Sequence, residues 1–162
     1  VTVIAAYYDK RGCWIGGDSG AFDEDSVVLT SDPKVWQAGD SLIGVAGTFR
    51  IIEVAKASGL SDPYELRDYL MTEYNSRAHP TSQEAEILIV NQSGIYYIGE
   101  DFSVVRSKEA YGASGAGGLI ALGCLASLSK FQIEPKEVVR TALEVAAKHT
   151  VHSRAPFRVL SI

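Results

Sequence analysis

The stretch that most constrains this chain is its opening, residues 1–18, V-T-V-I-A-A-Y-Y-D-K-R-G-C-W-I-G-G-D. Two short apolar runs flank the turn D-K-R-G, a pattern that predicts a β-hairpin. A strand beginning this early ties the head of the chain into a sheet, where most termini fray. The hairpin puts Thr2 at the end of a rigid strand and Asp18 at the far end of its partner, so the two are expected near one another. A hydroxyl beside a possible free α-amine, with a carboxylate close by, is a candidate nucleophile.

Length and composition limit what can be built around that hairpin. At 162 residues the chain has the length of one domain, enough to bury about two-thirds of its unfolded surface. The net charge is −5, and no Lys/Arg cluster or interleaved aromatic run is present. No nucleic-acid partner is expected on that basis. Cys13 and Cys124 sit in apolar runs without C-x-x-C spacing, which predicts buried thiols in a reducing compartment. No apolar segment reaches membrane-spanning length and no charged region precedes a signal-like core, so a cytoplasmic chain with no membrane partner is expected.

Along the rest of the chain, residues 20–26 (G-A-F-D-E-D-S) read as a polar loop and 27–29 as a short strand. The run L-I-G-V-A-G at 42–47 is too short for a helix and reads as a buried strand. Thr48 is placed to cap a helix over 49–57 that Gly59 ends. Asp62-Pro63-Tyr64-Glu65 is a helix start, followed by the apolar stripe Leu66, Leu70 and Tyr74. A polar break at 76–83 precedes a second hairpin, 86–91 with 95–98, which 104–106 extends. Residues 110–118 (A-Y-G-A-S-G-A-G-G) read as a glycine-rich bend leading into a helix over 119–128. Pro135 opens the last helix, with Val138, Val139, Ala142, Leu143 and Ala146 as its buried stripe, and 157–162 reads as a final strand. Strands and helices come in separate runs, which favours an α+β fold of antiparallel sheets covered by helices.

These residues, in this order, resemble the proteasome β-type subunits and their bacterial HslV relatives among the N-terminal nucleophile hydrolases. The likeness rests on Thr2 followed by V-I-A-A, Gly12 in the turn, G-G-D ending at Asp18, and Lys34 after a second short strand. L-I-G-V-A-G ending at Gly47, G-A-S-G around Ser114, and Ser153 after the last helix complete it. The resemblance implies a four-layer αββα sandwich of two antiparallel sheets over 1–162. It also implies homo-oligomeric stacked rings that enclose the active sites, polypeptide substrates, and an ATPase unfoldase that feeds them.

The resemblance further implies catalysis by Thr2, Asp18, Lys34, Gly47, Ser114 and Ser153, with no cofactor and no metal. A terminal threonine supplies a hydroxyl as nucleophile and its own α-amine as base. That amine titrates near 7.7–8.0 in reference peptides, so a modest depression leaves it neutral at working pH. Lys34 would lower that pKa and the hydroxyl's, and Asp18 would hold Lys34 in place. The Gly47 N–H would face the oxyanion, while Ser114 and Ser153 would bond to the amine or a bridging water. Val35, Trp36, Val45 and Phe49 are expected to line a pocket for an apolar substrate side chain.

Two residues depart from the family pattern. Val1 precedes Thr2, and an acylated Thr2 nitrogen is an amide with no basic lone pair. Thr150 stands where proteasome subunits carry an aspartate, which moves the analogy toward HslV. The alternatives are a catalytically silent relative that keeps Val1 and serves in assembly, and a small-molecule amidase of the same superfamily that forms no ring. Without the resemblance Thr2 is an ordinary strand residue, and Asp18 with Lys34 an ordinary ion pair. The G-A-S-G-A-G-G bend lacks the Lys-Ser/Thr of a phosphate loop. His79, His149 and His152 show no metal-ligand spacing and read as surface residues.

Overall fold

The computed structural model describes residues 2–22, 27–31, 33–75, 85–151 and 153–162. Val1, the expected break at 76–83, His79, His152 and the side chain of Tyr74 fall outside that description.

The opening pattern folds as the sequence predicts. Strand β1 (Val3–Asp9) turns at Lys10 and Arg11 into β2 (Gly12–Gly17), with Ile4 opposite Gly17 and Asp9 opposite Gly12. A small ribbon of β3 (Gly20–Phe22) and β4 (Val27–Leu29) follows, then β5 (Val35–Ala38) and β6 (Ser41–Gly47). Helices α1 (Phe49–Ser58) and α2 (Pro63–Asn75) come next. Strands β7 (Ala85–Asn91), β8 (Gly94–Ile98), β9 (Val104–Arg106) and β10 (Tyr111–Gly115) lead to α3 (Gly118–Leu128), α4 (Pro135–His149) and β11 (Arg158–Ser161).

Apart from the β3-β4 ribbon, the described strands form two antiparallel sheets, ordered β10-β1-β2-β11 and β5-β6-β7-β8-β9. Side-chain alternation decides the layers, because successive residues of a strand face opposite sides of its sheet. On β1, Val3 and Ala5 pack with Ala121 and Leu125 of α3 and with Val139 and Leu143 of α4. Ile4 and Ala6 instead join Leu88 and Val90 of β7 in the layer between the sheets. Ile87 and Ile89, the other face of β7, pack under Ile51 and Ile52 of α1 and Leu66 and Leu70 of α2. Three apolar layers thus separate helix, sheet, sheet and helix, which is the αββα sandwich.

Capping follows local chemistry. The Asp62 carboxylate accepts from the N–H groups of Tyr64 at 2.9 Å and Glu65 at 3.0 Å, holding the first turn of α2. Thr48 does not act as expected, since it makes no side-chain cap hydrogen bond to α1.

Two expectations are corrected. Residues 20–22, read as loop, form β3, which pairs with β4 from Gly20–Leu29 to Phe22–Val27. The bend expected at 110–118 is largely β10, an edge strand paired with β1 from Tyr7–Tyr111 to Val3–Gly115. Its glycines answer to crowding. A Cβ on Gly112 would stand 2.4 Å from the Tyr97 hydroxyl, and one on Gly115 would stand 2.2 Å from the Thr2 carbonyl oxygen. Among the described residues, no helix is long and apolar enough to cross a membrane.

Candidate active site

The space between the sheets is apolar along most of its length and polar at one end. Thr2 shares the face of Ile4 and Ala6 by strand alternation, so it heads the row that looks toward the second sheet. Asp18 follows β2 directly, beside Gly17, which is paired with Ile4. Lys34 immediately precedes β5, and its carbonyl accepts from the Val45 N–H at 3.0 Å, which ties it to β6. Segments distant in sequence therefore converge at the head of β1.

The contacts there are closely matched. Lys34 Nζ donates to Thr2 Oγ1 at 2.8 Å, to Asp18 Oδ1 at 3.1 Å and to the Gly20 carbonyl. An ammonium has three donors, and all three are used. Asp18 Oδ1 also accepts from the Val3 N–H at 3.1 Å, and its Oδ2 accepts from Gly20 at 3.0 Å and Arg154 at 3.4 Å. Thr2, Asp18 and Lys34 are each 3% exposed or less. Buried charges are tolerated when they are paired and hydrogen-bonded, and this pair is both.

Burial lowers the pKa of the Lys34 amine, and the charge and hydrogen bond of Asp18 oppose that shift. The chemical consequence lies at Thr2. Its oxygen receives a proton donor from Lys34, so its own O–H is left to point at a base. A cation touching Oγ1 also stabilises developing negative charge there.

The other expected residues gather at the same end. Gly47 is the last residue of β6 and pairs with Ala85. Ser114, on β10, pairs with Ile4 and so shares the Thr2 face. The segment after α4 is strapped to this end by the Arg154 N–H on Asp18 and by the Ser19 N–H on the Arg154 carbonyl at 3.1 Å. Ser153 lies in it, 1% exposed, and its hydroxyl has no hydrogen-bond partner among the described residues.

No protein-family profile matches the sequence. Curated relatives do. The chain is 25% identical to the "ATP-dependent protease subunit HslV" of Campylobacter hominis, over 99% of this chain and 96% of that one. It is 24% identical to the protein of the same name in Sulfurovum sp., over 99% and 98%. Among solved structures, Thiobacillus denitrificans BPH in complex with epoxomicin superposes with a TM-score of 0.84 at 18% identity, covering 99% of this chain and 98% of that one. Eukaryotic HslV from Trypanosoma brucei does so with a TM-score of 0.78 at 18% identity, over 99% and 98%. The chain is HslV-like. Its fold is that of a proteasome β-type N-terminal nucleophile hydrolase.

Within this HslV-like fold some expected residues do other work. Val35 and Val45, read as pocket walls, belong to the core: Val35 lies between the sheets and Val45 under α1 and α2. Trp36 and Phe49 pack on the outside of that second layer, with Lys56 Nζ 5.4 Å from the Trp36 ring centre. Alternation is the reason, because Trp36 faces the helices while Val35 faces the first sheet. Thr150 turns its hydroxyl back onto the Ala146 carbonyl of α4 at 2.9 Å, and so closes that helix.

One residue of this end escaped the sequence reading. Ser114 Oγ donates to Glu86 Oε2 at 2.7 Å, and that oxygen lies 3.5 Å from the Gly115 nitrogen. The signal was available: in A-E-I-L-I-V-N, Glu86 is a charge within an apolar run, on the same face as Leu88 and Val90.

Proposed function

We propose that residues 1–162 act as one proteasome-β-like domain. It is a threonine-type endopeptidase subunit that cleaves peptide bonds of polypeptides with the Thr2 hydroxyl once residue 1 is removed. The observation that carries this is the hydrogen bond from Lys34 Nζ to Thr2 Oγ1 at 2.8 Å, with Asp18 holding the same nitrogen. A strand threonine with a structural role has no need of a buried cation on its oxygen.

In this reading the freed Thr2 amine takes the proton from Oγ1 as the oxygen attacks the substrate carbonyl. Lys34 stabilises the charge building on Oγ1, and Asp18 fixes Lys34. The Gly47 N–H faces the oxyanion, a type of donor whose loss costs about 10²–10³ in rate. Ser114 and Ser153 present hydroxyls to the amine or to a water beside it. The chemistry calls for no cofactor.

The names of the curated relatives support an ATP-dependent assembly, in which an ATPase unfoldase delivers the polypeptide. Stacked homo-oligomeric rings are supported by the apolar residues left open on and after α3, with Leu119 86% and Phe131 67% exposed. Light scattering is expected to give the mass of a ring; a monomer or dimer would favour a small-molecule amidase instead.

The direct test is peptide hydrolysis by protein that begins at Thr2, beside Thr2→Ala and beside protein that keeps Val1. Activity only in the first is the expected result, and epoxomicin should slow it. Equal rates in the first two remove the enzyme claim and leave a silent relative with an assembly role.

A further inference from the structure

Glu86 is a carboxylate that the proposed catalytic scheme leaves without a task. It stands on β7 opposite Ala46, at the end of the inter-sheet layer where Thr2 heads β1. From the second sheet it reaches β10, the strand flanking the nucleophile on the first. Its Oε2 accepts the Ser114 hydroxyl at 2.7 Å and lies 3.5 Å from the Gly115 nitrogen. Gly115 in turn is pressed against Thr2, since a Cβ there would be 2.2 Å from the Thr2 carbonyl oxygen and 3.0 Å from Ala46 Cβ. Glu86 is thus one residue removed from the backbone of the nucleophile.

A serine hydroxyl has one proton and two lone pairs. With the Ser114 proton committed to Glu86, only lone pairs remain to face the head of β1, and lone pairs call for a donor. The α-amine of an unblocked Thr2 is such a donor. We propose that Glu86 is a positioning residue for that amine, acting through Ser114. It fixes the serine as an acceptor, and its negative charge favours the ammonium that forms when the amine takes the Thr2 proton.

This role rests on the Thr2 reading and completes its proton transfer. As the bond from Oγ1 to the carbonyl carbon forms, the Oγ1–H bond breaks and its proton passes to the amine lone pair. The carbonyl π electrons move onto the oxyanion. When these return, the scissile C–N bond breaks and the ammonium gives its proton to the departing nitrogen. Glu86 exchanges no proton and acts only on the orientation and charge balance of the amine.

Among the described residues, the charged and titratable groups in contact with this end include Lys34 and Asp18 at Thr2, Arg154 after α4, and Tyr97, whose hydroxyl meets the Ala113 N–H beside Ser114. On that amine the Lys34 cation acts to favour the neutral form, while the Asp18 and Glu86 carboxylates act to favour the ammonium.

The test is an NMR titration of the Thr2 amine, with ¹³C-labelled threonine in protein that begins at Thr2, run beside peptide hydrolysis over the same pH range. Glu86→Gln, which keeps the shape and an acceptor but removes the charge, is expected to lower the amine's pKa by about a few tenths of a unit, because Glu86 is itself exposed to solvent. The acid limb of kcat/KM should move by the same amount in the same direction. Glu86→Ala, which also frees the Ser114 proton, should lower kcat about tenfold with KM within about twofold. Glu86→Asp should recover part of the shift. An amine that titrates identically in wild type and Glu86→Gln, while hydrolysis still depends on Thr2, would sink this role alone. Hydrolysis undiminished in Thr2→Ala would sink the catalytic reading and this role with it.

Discussion

Strand β1 carries an ion pair near each end, and the two are built to different purposes. At its head Lys34 Nζ lies 3.1 Å from Asp18, with side chains 2% and 0% exposed. At its tail Arg11 grips Asp9 with two nitrogens, at 3.0 and 2.7 Å. The tail pair is the shorter and the better shaped, yet it stands in solvent, where screening leaves such pairs little weight. Beside it opens a cleft of about 790 Å³, walled by Tyr7, Arg11, Phe131 and Val138 among others, that includes none of the residues around Thr2. Neither contact length nor cavity size marks the end proposed for the chemistry. What marks it is charge taken out of water with its donors and acceptors matched, because that arrangement is expensive to build for structure alone.

The largest effects are therefore expected at the head. Lys34→Met removes the donor on Thr2 Oγ1 and leaves the Asp18 carboxylate buried without a cation. Hydrolysis should fall at least about a thousandfold. Stability should fall by about 3–5 kcal/mol in urea unfolding, the usual range for breaking a buried pair from one side. Retention of either property would make the head pair no different from the tail pair.

Asp18→Asn keeps the volume but turns an acceptor-only group into one that also presents an N–H₂. A loss of about 10²-fold in kcat is expected, with KM nearly unchanged, because Lys34 loses its anchor while the surface that meets substrate stays. A change confined to KM would contradict that role.

The pH dependence separates the ends by window, since stability rises with pH at both, in the alkaline range for one and the acid range for the other. Burial lowers the Lys34 pKa from 10.5, so between the folded value and 10.5 the unfolded chain binds more protons. This group's contribution to stability then rises with pH across that window, and Lys34→Met should flatten the rise. At the tail, the Arg11 hydrogen bond lowers the Asp9 pKa from 3.8. That contribution is present above 3.8 and is lost as pH falls through the folded value. Urea midpoints measured against pH for each variant check both slopes.

The smallest effect is expected from Arg11→Ala, which should leave hydrolysis unchanged and the melting temperature nearly so. A large loss of activity there would erase the contrast between the ends.

Much of the head of β1 was legible in the sequence because it is made of local patterns. The hairpin, the buried strand ending at Gly47 and the last helix with its Val138–Ala146 stripe all follow from periodicity and turn residues. That Lys34 meets Thr2 came from the family resemblance, since nothing in residue spacing brings the approach to β5 onto the head of β1. β10 was misread because glycine and alanine look like a bend, whereas here they answer to crowding by Tyr97 and Thr2. Val35 and Val45 were misplaced because an apolar residue near a nucleophile reads equally well as wall or core, and only strand facing decides between them. Glu86 went unnoticed although its position in an apolar run held the clue.

The central claim is that the Thr2 oxygen is the atom that attacks. It is tested most directly by acid-quenching protein that begins at Thr2 during turnover of an activated peptide ester and locating the acyl group by peptide-mapping mass spectrometry. The expected result is the acyl mass on the fragment containing Thr2, absent from Lys34→Met and Thr2→Ala. An acyl group found on Ser114, Ser153 or Cys124 instead, in protein that is turning over, would contradict the account.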